Sequence, residues 1–452
     1  MERRQRGRVG GPSSNAAARA VGLLMYCQPK SWLDMVAGMT STASSGTPTQ
    51  PAPAPGPGGT DAAPGWARTG PAIALLAAAC IPMVGQMYSV LALLGPMADD
   101  LGSTPHALTW VSTAFAIAYA VGFLAAGALC ERFGPRATIT WGLVATAATT
   151  ALVAAAHTPE TAIALRALQG LTTATLAPAA FAYVGEHIRP AHRPAAMTAV
   201  SGAALASAPV MQIAAQGIAS VADWRAVFLA GAAAILAAAP AAWAVLHRPR
   251  RAGRPLLGAF AAMPGLFLQP RLAALFAATA TLLGGFVAVY TAVTIAGPPE
   301  IAGDDGALLV LRASALPAMV AVPLLAGLLG RWSAGVRAVA GLALAALSVL
   351  ATAVVGGGAV GLGAVLLVFT AAILVTAPAL VQGIGEHAGP ERRGMGTAMY
   401  AFSMFVGAGI GPQLAAGAAG LGFAGIAMVV AGVLALGAIL AALARRPARR
   451  AA

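Results

Sequence analysis

"GALCERFGPR", residues 127–136, closes a long apolar run with two arginines around a Gly-Pro pair. "GLLGRWSAGVR", residues 327–337, closes another run in the same manner, beginning 200 positions later. The interval recurs. "VGEHIRPAHR" (184–193) and "IGEHAGPERR" (384–393) repeat a Gly-Glu-His triplet, and "APA" at Ala177–Ala179 returns at Ala377–Ala379. A chain that interrupts greasy stretches with the same charged loops at one fixed offset reads as two similar halves, parallel repeats related by an axis along a membrane normal.

The background composition agrees. Of 452 residues, 59% are hydrophobic and 9% charged, and mean hydropathy is +0.79. Soluble domains carry about 25% charged residues, so this chain could not cover a water-facing surface and belongs in a bilayer. A membrane helix needs about 20 apolar residues. Twelve such segments run near 71–95, 108–130, 137–157, 160–184, 195–219, 226–247, 271–296, 307–330, 336–355, 358–384, 395–419 and 422–445. The expected fold is all-α, with a first six-helix bundle over 71–247, a linker over 248–270 and a second bundle over 271–445.

With the N-terminus inside, the inner loops hold Arg132, Arg136, Arg189, Arg193, Arg248, Arg250, Arg251, Arg254, Arg271, Arg331, Arg337, Arg392 and Arg393. The tail 446–452 continues the basic run that starts at Arg445. The outer loops hold Asp99, Asp100, Glu160, Glu300, Asp304 and Asp305, with Asp223 beside Arg225. This positive-inside bias predicts both termini in the cytoplasm, in a plasma membrane. It accounts for the net charge of +13 without a nucleic-acid partner. Residues 1–70, with the Pro/Gly/Ala stretch Thr47–Gly65, read as a disordered cytoplasmic tail; a start at Met39 is equally compatible, and no signal peptide is legible. Cys27, Cys80 and Cys130 show no disulfide or metal spacing.

On these features the chain resembles the major facilitator superfamily. "GALCERFGPR" is similar to that family's signature loop at Gly127, Leu129, Arg132, Gly134 and Arg136, with Glu131 in place of an aspartate. "RALQG" (Arg166–Gly170) is similar to a second motif, and "DWRAVF" to the family's entry into the sixth helix. The exporter pattern of the fifth helix is reduced to Pro209, with Ala204 and Ala208 at small positions. The eleventh span carries a clearer fragment, Gly407, Gly411 and Pro412. Gly170, Pro209, Gly407, Gly411 and Pro412 are expected to serve helix packing.

The fourth helix runs outside to inside, so Glu186 sits at its C-terminus, where a carboxylate opposes the helix dipole and needs a cation. The resemblance implies Arg132 or Arg136 as that partner, and the repeat makes Arg331 or Arg337 the partner of Glu386, in an outward-facing state. The alternative is that both clusters are solvated loops. The resemblance further implies that Glu131 meets the N-terminus of the eleventh helix, near Gly394 and Gly396, when the inner side is shut; a simple loop ion pair is the other reading. Gly127, Glu131, Arg132, Gly134, Arg136, Glu186, Arg331, Arg337 and Glu386 are thus the candidate inner gate.

A buried arginine in a membrane span is costly, and the resemblance implies a part for Arg166 in proton coupling. A structural Arg166 bonded to backbone is the competing reading, because no Asp or Glu lies in the middle of any span. The nearest titrating candidates are Asp99 and Asp100 at the outer end of the first span. Arg312 is expected to snorkel or line a cavity. Gln86, Tyr119, Gln169, Gln212, Tyr290 and Gln382 are candidate hydrogen-bonders in an otherwise apolar central cavity, or helix contacts.

The expected activity is secondary active transport, proton-coupled efflux of a small amphiphilic compound by a monomer. The open alternatives are an importer or facilitator of a neutral metabolite, and a transport-dead sensor. Enzymatic readings find no machinery. The single lysine, Lys30, lies outside any phosphate loop, and neither Gly-x-Ser-x-Gly nor His-Glu-x-x-His occurs. No cofactor and no metal are expected.

Overall fold

The computed structural model describes residues 66–247, 264–302, 305–353, 358–389 and 392–445, which belong to one compact unit, Pro64–Ala452. The tail before residue 66, linker residues 248–263, Asp304 and the end of the chain from 446 lie outside the described residues. So do Cys27, Met39, Arg248, Arg250, Arg251 and Arg254.

The described chain is helical throughout, as it must be where no water is present to satisfy backbone N–H and C=O groups. The helices are α1 (Thr69–Ser89), α2 (Thr109–Phe133), α3 (Pro135–Val153), α4 in two pieces (Pro159–Thr173 and Leu176–His187), α5 (Arg193–Ala219), α6 (Trp224–Val245), α7 (Pro270–Ala296), α8 in three pieces (Asp305–Ala313, Leu316–Leu324 and Ala326–Leu329), α9 (Ala334–Thr352), α10 (Ala359–Ala388), α11 (Arg393–Gly417) and α12 (Gly422–Ala444). Each expected segment therefore contains helix. Helix α1 begins at Thr69, inside the stretch assigned to the tail, and the Ala67 amide donates to the His187 carbonyl at 3.0 Å.

Local sequence explains the boundaries. Pro135, Pro159 and Pro270 open their helices, where the missing N–H costs nothing. Asp223 caps α6, its Oδ1 accepting from the Ala226 amide at 2.8 Å, and Ser333 caps α9. Gly134, at φ 80° and ψ 159°, lets the chain leave α2 and enter α3 in one residue, a conformation that excludes most side chains.

Among the described residues, eight helices are long and apolar enough to cross a membrane by length and composition: α1, α2, α5, α6, α7, α9, α10 and α12. The other four expected spans depart for identifiable reasons. Five threonines between Thr138 and Thr150 dilute α3, and glycine, serine and glutamine dilute α11. Pro178 lacks the N–H that would bond the Ala174 carbonyl, and its ring crowds that carbonyl, so α4 breaks there. Pro317 breaks α8 after Ala313 by the same means. Pro378, the repeat partner of Pro178, stays inside an unbroken α10.

The repeat is visible in the packing. In the first half α1 lies on α5, α2 on α4 and α3 on α6. The second half reproduces these pairs as α7 on α11, α8 on α10 and α9 on α12. The outward faces are apolar, as Leu347 (64% exposed) and Ile439 (56%) illustrate; in water such faces would drive aggregation, and in lipid they are neutral.

The tightest approach is α7 against α11. A Cβ at Gly407 would overlap the Ala280 carbonyl oxygen, and one at Gly411 the Gly284 carbonyl oxygen. Small residues allow this contact, which replaces hydrophobic burial as the source of helix association in lipid. We therefore expect Gly407→Ala to cost about 1–3 kcal/mol through forced separation of α7 and α11. Gly432→Ala, which meets nothing within 4 Å, should be harmless. Thermal unfolding of the two purified variants checks this; equal melting temperatures would remove the packing role.

Candidate functional site

In the interior of the first half, Arg166 is 0% exposed, and among the described residues no carboxylate pairs with it. Its Nη1 donates to Gln169 Oε1 at 2.6 Å and its Nε to the Val111 carbonyl at 3.4 Å. The guanidinium lies over the Phe115 ring at 4.2 Å and near Phe228 at 5.8 Å. The Gln169 amide passes the network on, donating to Thr150 Oγ1 at 2.8 Å and to Gln86 Oε1 at 3.1 Å. Gln86 in turn donates to the Pro82 carbonyl. Gln86 and Gln169 are thus inside the bundle, their hydrogen bonds used among helices, rather than on the wall of a central cavity. Gly170 permits this geometry, since a Cβ there would overlap the Phe115 carbonyl oxygen.

Between the halves, hydrogen bonds gather at the end opposite the arginine loops. Thr113 Oγ1 donates to the Gly409 carbonyl at 2.7 Å. The Gln413 amide donates to Thr109 and Thr113 at 3.1 and 3.0 Å. His106 Nε2 lies 2.9 Å from the Ala416 carbonyl, and Thr294 reaches the Leu91 carbonyl. Arg312 Nη1 donates to Gln216 Oε1, joining α8 to α5. Deeper, Tyr119 meets Phe405 with ring centroids 4.2 Å apart. Arg312 is 6% exposed, so it faces the inter-half boundary instead of snorkelling. Tyr290 is buried on α7 and Gln212 on α5, while Pro209 and Pro412 lie inside α5 and α11.

At the arginine end the halves behave differently. Arg136 donates to the Trp243 carbonyl and stacks on the Trp243 ring at 4.2 Å. Arg132 is exposed against Phe133, and Glu186 Oε2 lies 4.0 Å from His187 Nδ1. Neither arginine is paired with Glu186 here. In the second half Arg337 Nη2 donates to Gln382 Oε1 at 2.6 Å, and Gln382 Nε2 donates to Glu386 at 2.9 Å. Gln382 thereby links the two expected partners and sits at the helix end, with a recess of about 410 Å³ beside it lined by Ser333, His387 and Arg445 among others. Its repeat counterpart is Ala182, which can form no such link. Arg331 is exposed, Gly127 faces open space, and the Glu131 side chain lies outside the described residues.

Beyond the opposite end, Arg225 Nη1 donates to Asp100 Oδ2 at 2.6 Å and Trp224 Nε1 donates to the same oxygen at 3.2 Å. Arg225 also reaches the Ala156 carbonyl. The hydrogen bond from Arg225 holds the Asp100 carboxyl below the usual carboxylate range. Asp99 is exposed. The sequence reading misses Gln216, Gln413, Thr109 and Thr113 as inter-half contacts. The signal that finds the two glutamines is the one that singles out Gln212, an amide inside an apolar helix.

A family profile, Major Facilitator Superfamily, matches residues 74–412. Among characterised relatives, the puromycin resistance protein pur8 of Streptomyces alboniger is 31% identical over 157 residues, 34% of this chain and 31% of that protein. The tetracenomycin C resistance and export protein of Streptomyces glaucescens is 28% identical over 182 residues, 40% and 34% of the two chains. The matched regions span about a third of each relative's length. A crystal structure of the nucleoside transporter NupG aligns with a TM-score of 0.64 at 14% identity, covering 83% of this chain and 99% of the other; at that identity the likeness concerns the fold.

Two outcomes follow from the geometry. Gln413→Leu removes two hydrogen bonds between the halves. At about 0.5–1.5 kcal/mol per bond, about 1–3 kcal/mol for the two, it should raise labelling of a cysteine placed at the buried position Ala116 by about five- to 150-fold; unchanged labelling would exclude Gln413 as a latch. A lowered folded pKa makes the stabilising effect of Asp100 complete above its unfolded pKa and lost as pH falls through the folded one. The melting-temperature gap between wild type and Asp100→Asn should therefore be widest near neutrality and close below the ordinary carboxylate range. A pH-independent gap would contradict this ion pair.

Proposed function

Since the chain belongs to the major facilitator superfamily, we propose that it is a secondary active transporter that moves a small amphiphilic compound out of the cell by alternating access, in exchange for protons. The observation that carries the reading is the set of hydrogen bonds that join the halves at the end opposite the arginine loops, from Thr113 to the Gly409 carbonyl and from Gln413 to Thr109 and Thr113. A boundary held at one end by a few breakable bonds fits the gate that alternating access has to open and close. The same proposal includes twelve crossings, division into two bundles, both termini in the cytoplasm, a plasma-membrane location and a monomeric carrier.

Efflux is supported by the names of the two relatives, which describe resistance and export. A proton gradient suits a chain with no nucleotide motif, and a 100 mV potential supplies about 2.3 kcal/mol per charge moved. Arg225 fixes Asp100 as a carboxylate partner, which leaves Asp99 and Glu131 as the proposed proton carriers and Arg166 as a fixed charge. The absence of any acidic residue in mid-span favours a second reading, a facilitator that moves its substrate downhill in either direction.

Reconstitution into liposomes with an imposed pH gradient, tested against a panel of dyes, sugars and amino acids, separates the two. Uphill accumulation of an amphiphile that collapses with the gradient is the expected result. Accumulation that ignores both pH gradient and potential would replace antiport by facilitation, and no movement of any compound would leave the sensor.

A further inference from the structure

The internal repeat breaks at one position in a way that leaves a space. Residue 183 of α4 is tyrosine, and its counterpart 200 positions on, in α10, is Gly383. Tyr183 is fully buried. Its ring stacks on His187 one turn later, with centroids 4.7 Å apart and planes inclined by 11°. Its hydroxyl accepts from the His247 amide, just beyond α6, at 3.1 Å. One side chain thus crosses from α4 to the end of α6 and braces the arginine end of the first half. In the second half the histidine is kept, as His387, and the tyrosine is not.

The recess of about 410 Å³ at the arginine end of the second half lies where that ring is missing. Gly383 and His387 line it from α10, Ala441 and Arg445 from the end of α12, so it follows the path that Tyr183 takes in the first half. The space beside Gly383 is open, since a Cβ there would meet only Leu275 Cδ1, at 4.0 Å. His387 Nδ1 lies 2.7 Å from the Gly383 carbonyl, which holds the imidazole beside the recess. The Arg445 stem packs against Gly335 of α9, and Ser333 lines the same side. The volume falls in the range of small-ligand pockets, roughly 300–1,000 Å³. Every residue that lines it belongs to the second half, so the recess is no part of the boundary between the halves.

We propose that this recess binds a small phenolic compound, a single aromatic ring bearing a hydroxyl, seated where Tyr183 sits in the first half. The ring would stack on His387 as Tyr183 stacks on His187, with Leu275 and Ala441 against its apolar edges. Its oxygen would take a hydrogen bond from Arg445 or Ser333 at the rim. Bound there, the compound braces α10 to α12 as Tyr183 braces α4 to α6, which makes it a modulator of the second half and not the cargo. The claim stands apart from the transport reading and from its direction and coupling.

The test uses the full chain in lipid nanodiscs and equilibrium dialysis, with empty nanodiscs to subtract partitioning into lipid. The probe is para-cresol, the tyrosine side chain as a free molecule, and its control is the ring-saturated analogue, methylcyclohexanol. Para-cresol should bind one equivalent per chain, raise the melting temperature and exceed the control in affinity by about two- to tenfold, the worth of one ring–ring contact. Gly383→Tyr restores the missing ring and should lose the bound equivalent while melting no lower than wild type. Gly383→Ala adds only a methyl group that the space admits and should keep it. His387→Leu should weaken para-cresol by the same factor, and His387→Phe, which returns a ring face, should recover it. Should Gly383→Tyr fold poorly, the His387 pair decides. Absence of saturable binding in wild type, equal binding in wild type and a folded Gly383→Tyr, or indifference to both His387 substitutions overturns the site. Equal affinity for para-cresol and methylcyclohexanol overturns the aromatic class of its ligand.

Discussion

A guanidinium buried inside a helix bundle, with no carboxylate against it among the described residues, must be held by neutral acceptors and ring faces, and that demand organises the first half of this protein. Arg166 draws the Val111 carbonyl and the Phe115 ring from α2, the Phe228 ring from α6 and the Gln169 amide of its own helix. Gln169 then fixes Thr150 on α3 and Gln86 on α1. Gly231 on α6 must stay small, since a Cβ there would come within 2.6 Å of the Gln86 amide nitrogen. Five helices are thus set by one buried charge. In a bilayer, where apolar contact between helices competes with equally apolar lipid, directional bonds of this kind decide which helix faces which.

The architecture was legible in the sequence because it depends on quantities that sum over many residues. Apolar runs of about 20, arginines concentrated in alternate loops and a 200-residue offset survive any single substitution, and the described helices fall where the apolar runs put them. The site was legible only in part. Arg166 announces itself as an intramembrane charge, but its partners do not, since an amide at position 86 or 169 reads the same whether it faces a cavity or a neighbouring helix. Arg312 reads as a snorkelling or cavity-lining residue because it lies in the outer part of its span. Only the placement of α5 against α8 shows that it meets Gln216. The breaks at Pro178 and Pro317 and the intact helix around Pro378 make the same point, because proline chemistry sets the local cost and tertiary packing decides whether it is tolerated.

The two halves share a sequence pattern but not a hydrogen-bond pattern, and the difference traces to single residues. Gln382 links Arg337 to Glu386, and its counterpart Ala182 has nothing to offer, so Arg136 turns instead to the Trp243 carbonyl and ring. Glu186, at a helix C-terminus where the dipole disfavours it, is left half-exposed beside His187. The second cluster is therefore tied in the state seen here, while in the first the glutamate and the arginines stay apart. In an alternating carrier, bonds made in one state and absent in the other shift the balance between states. Arg136 is held by Trp243 and Glu386 by Gln382, each within its own half, while Glu186 stands half-exposed beside His187.

That asymmetry bears on where energy can enter. A coupling group must change its charge as the carrier cycles, and in this chain the acidic residues sit at helix ends and in loops, not in mid-span. Asp100 is bound to Arg225 and Trp224, which favours the ionised form and ties it to α6. Proton movement through the interior would then need neutral relays, and Arg166 bars a simple one, since a fixed positive charge repels a proton along the first half. Any coupled proton has to act at the ends, by changing how firmly an end is closed. The bonds at the closed end point the same way: apart from Arg312 and His106 they are neutral amide, hydroxyl and carbonyl contacts, each worth about 1 kcal/mol. Gains and losses of that size are what a modest change at one terminus can reverse.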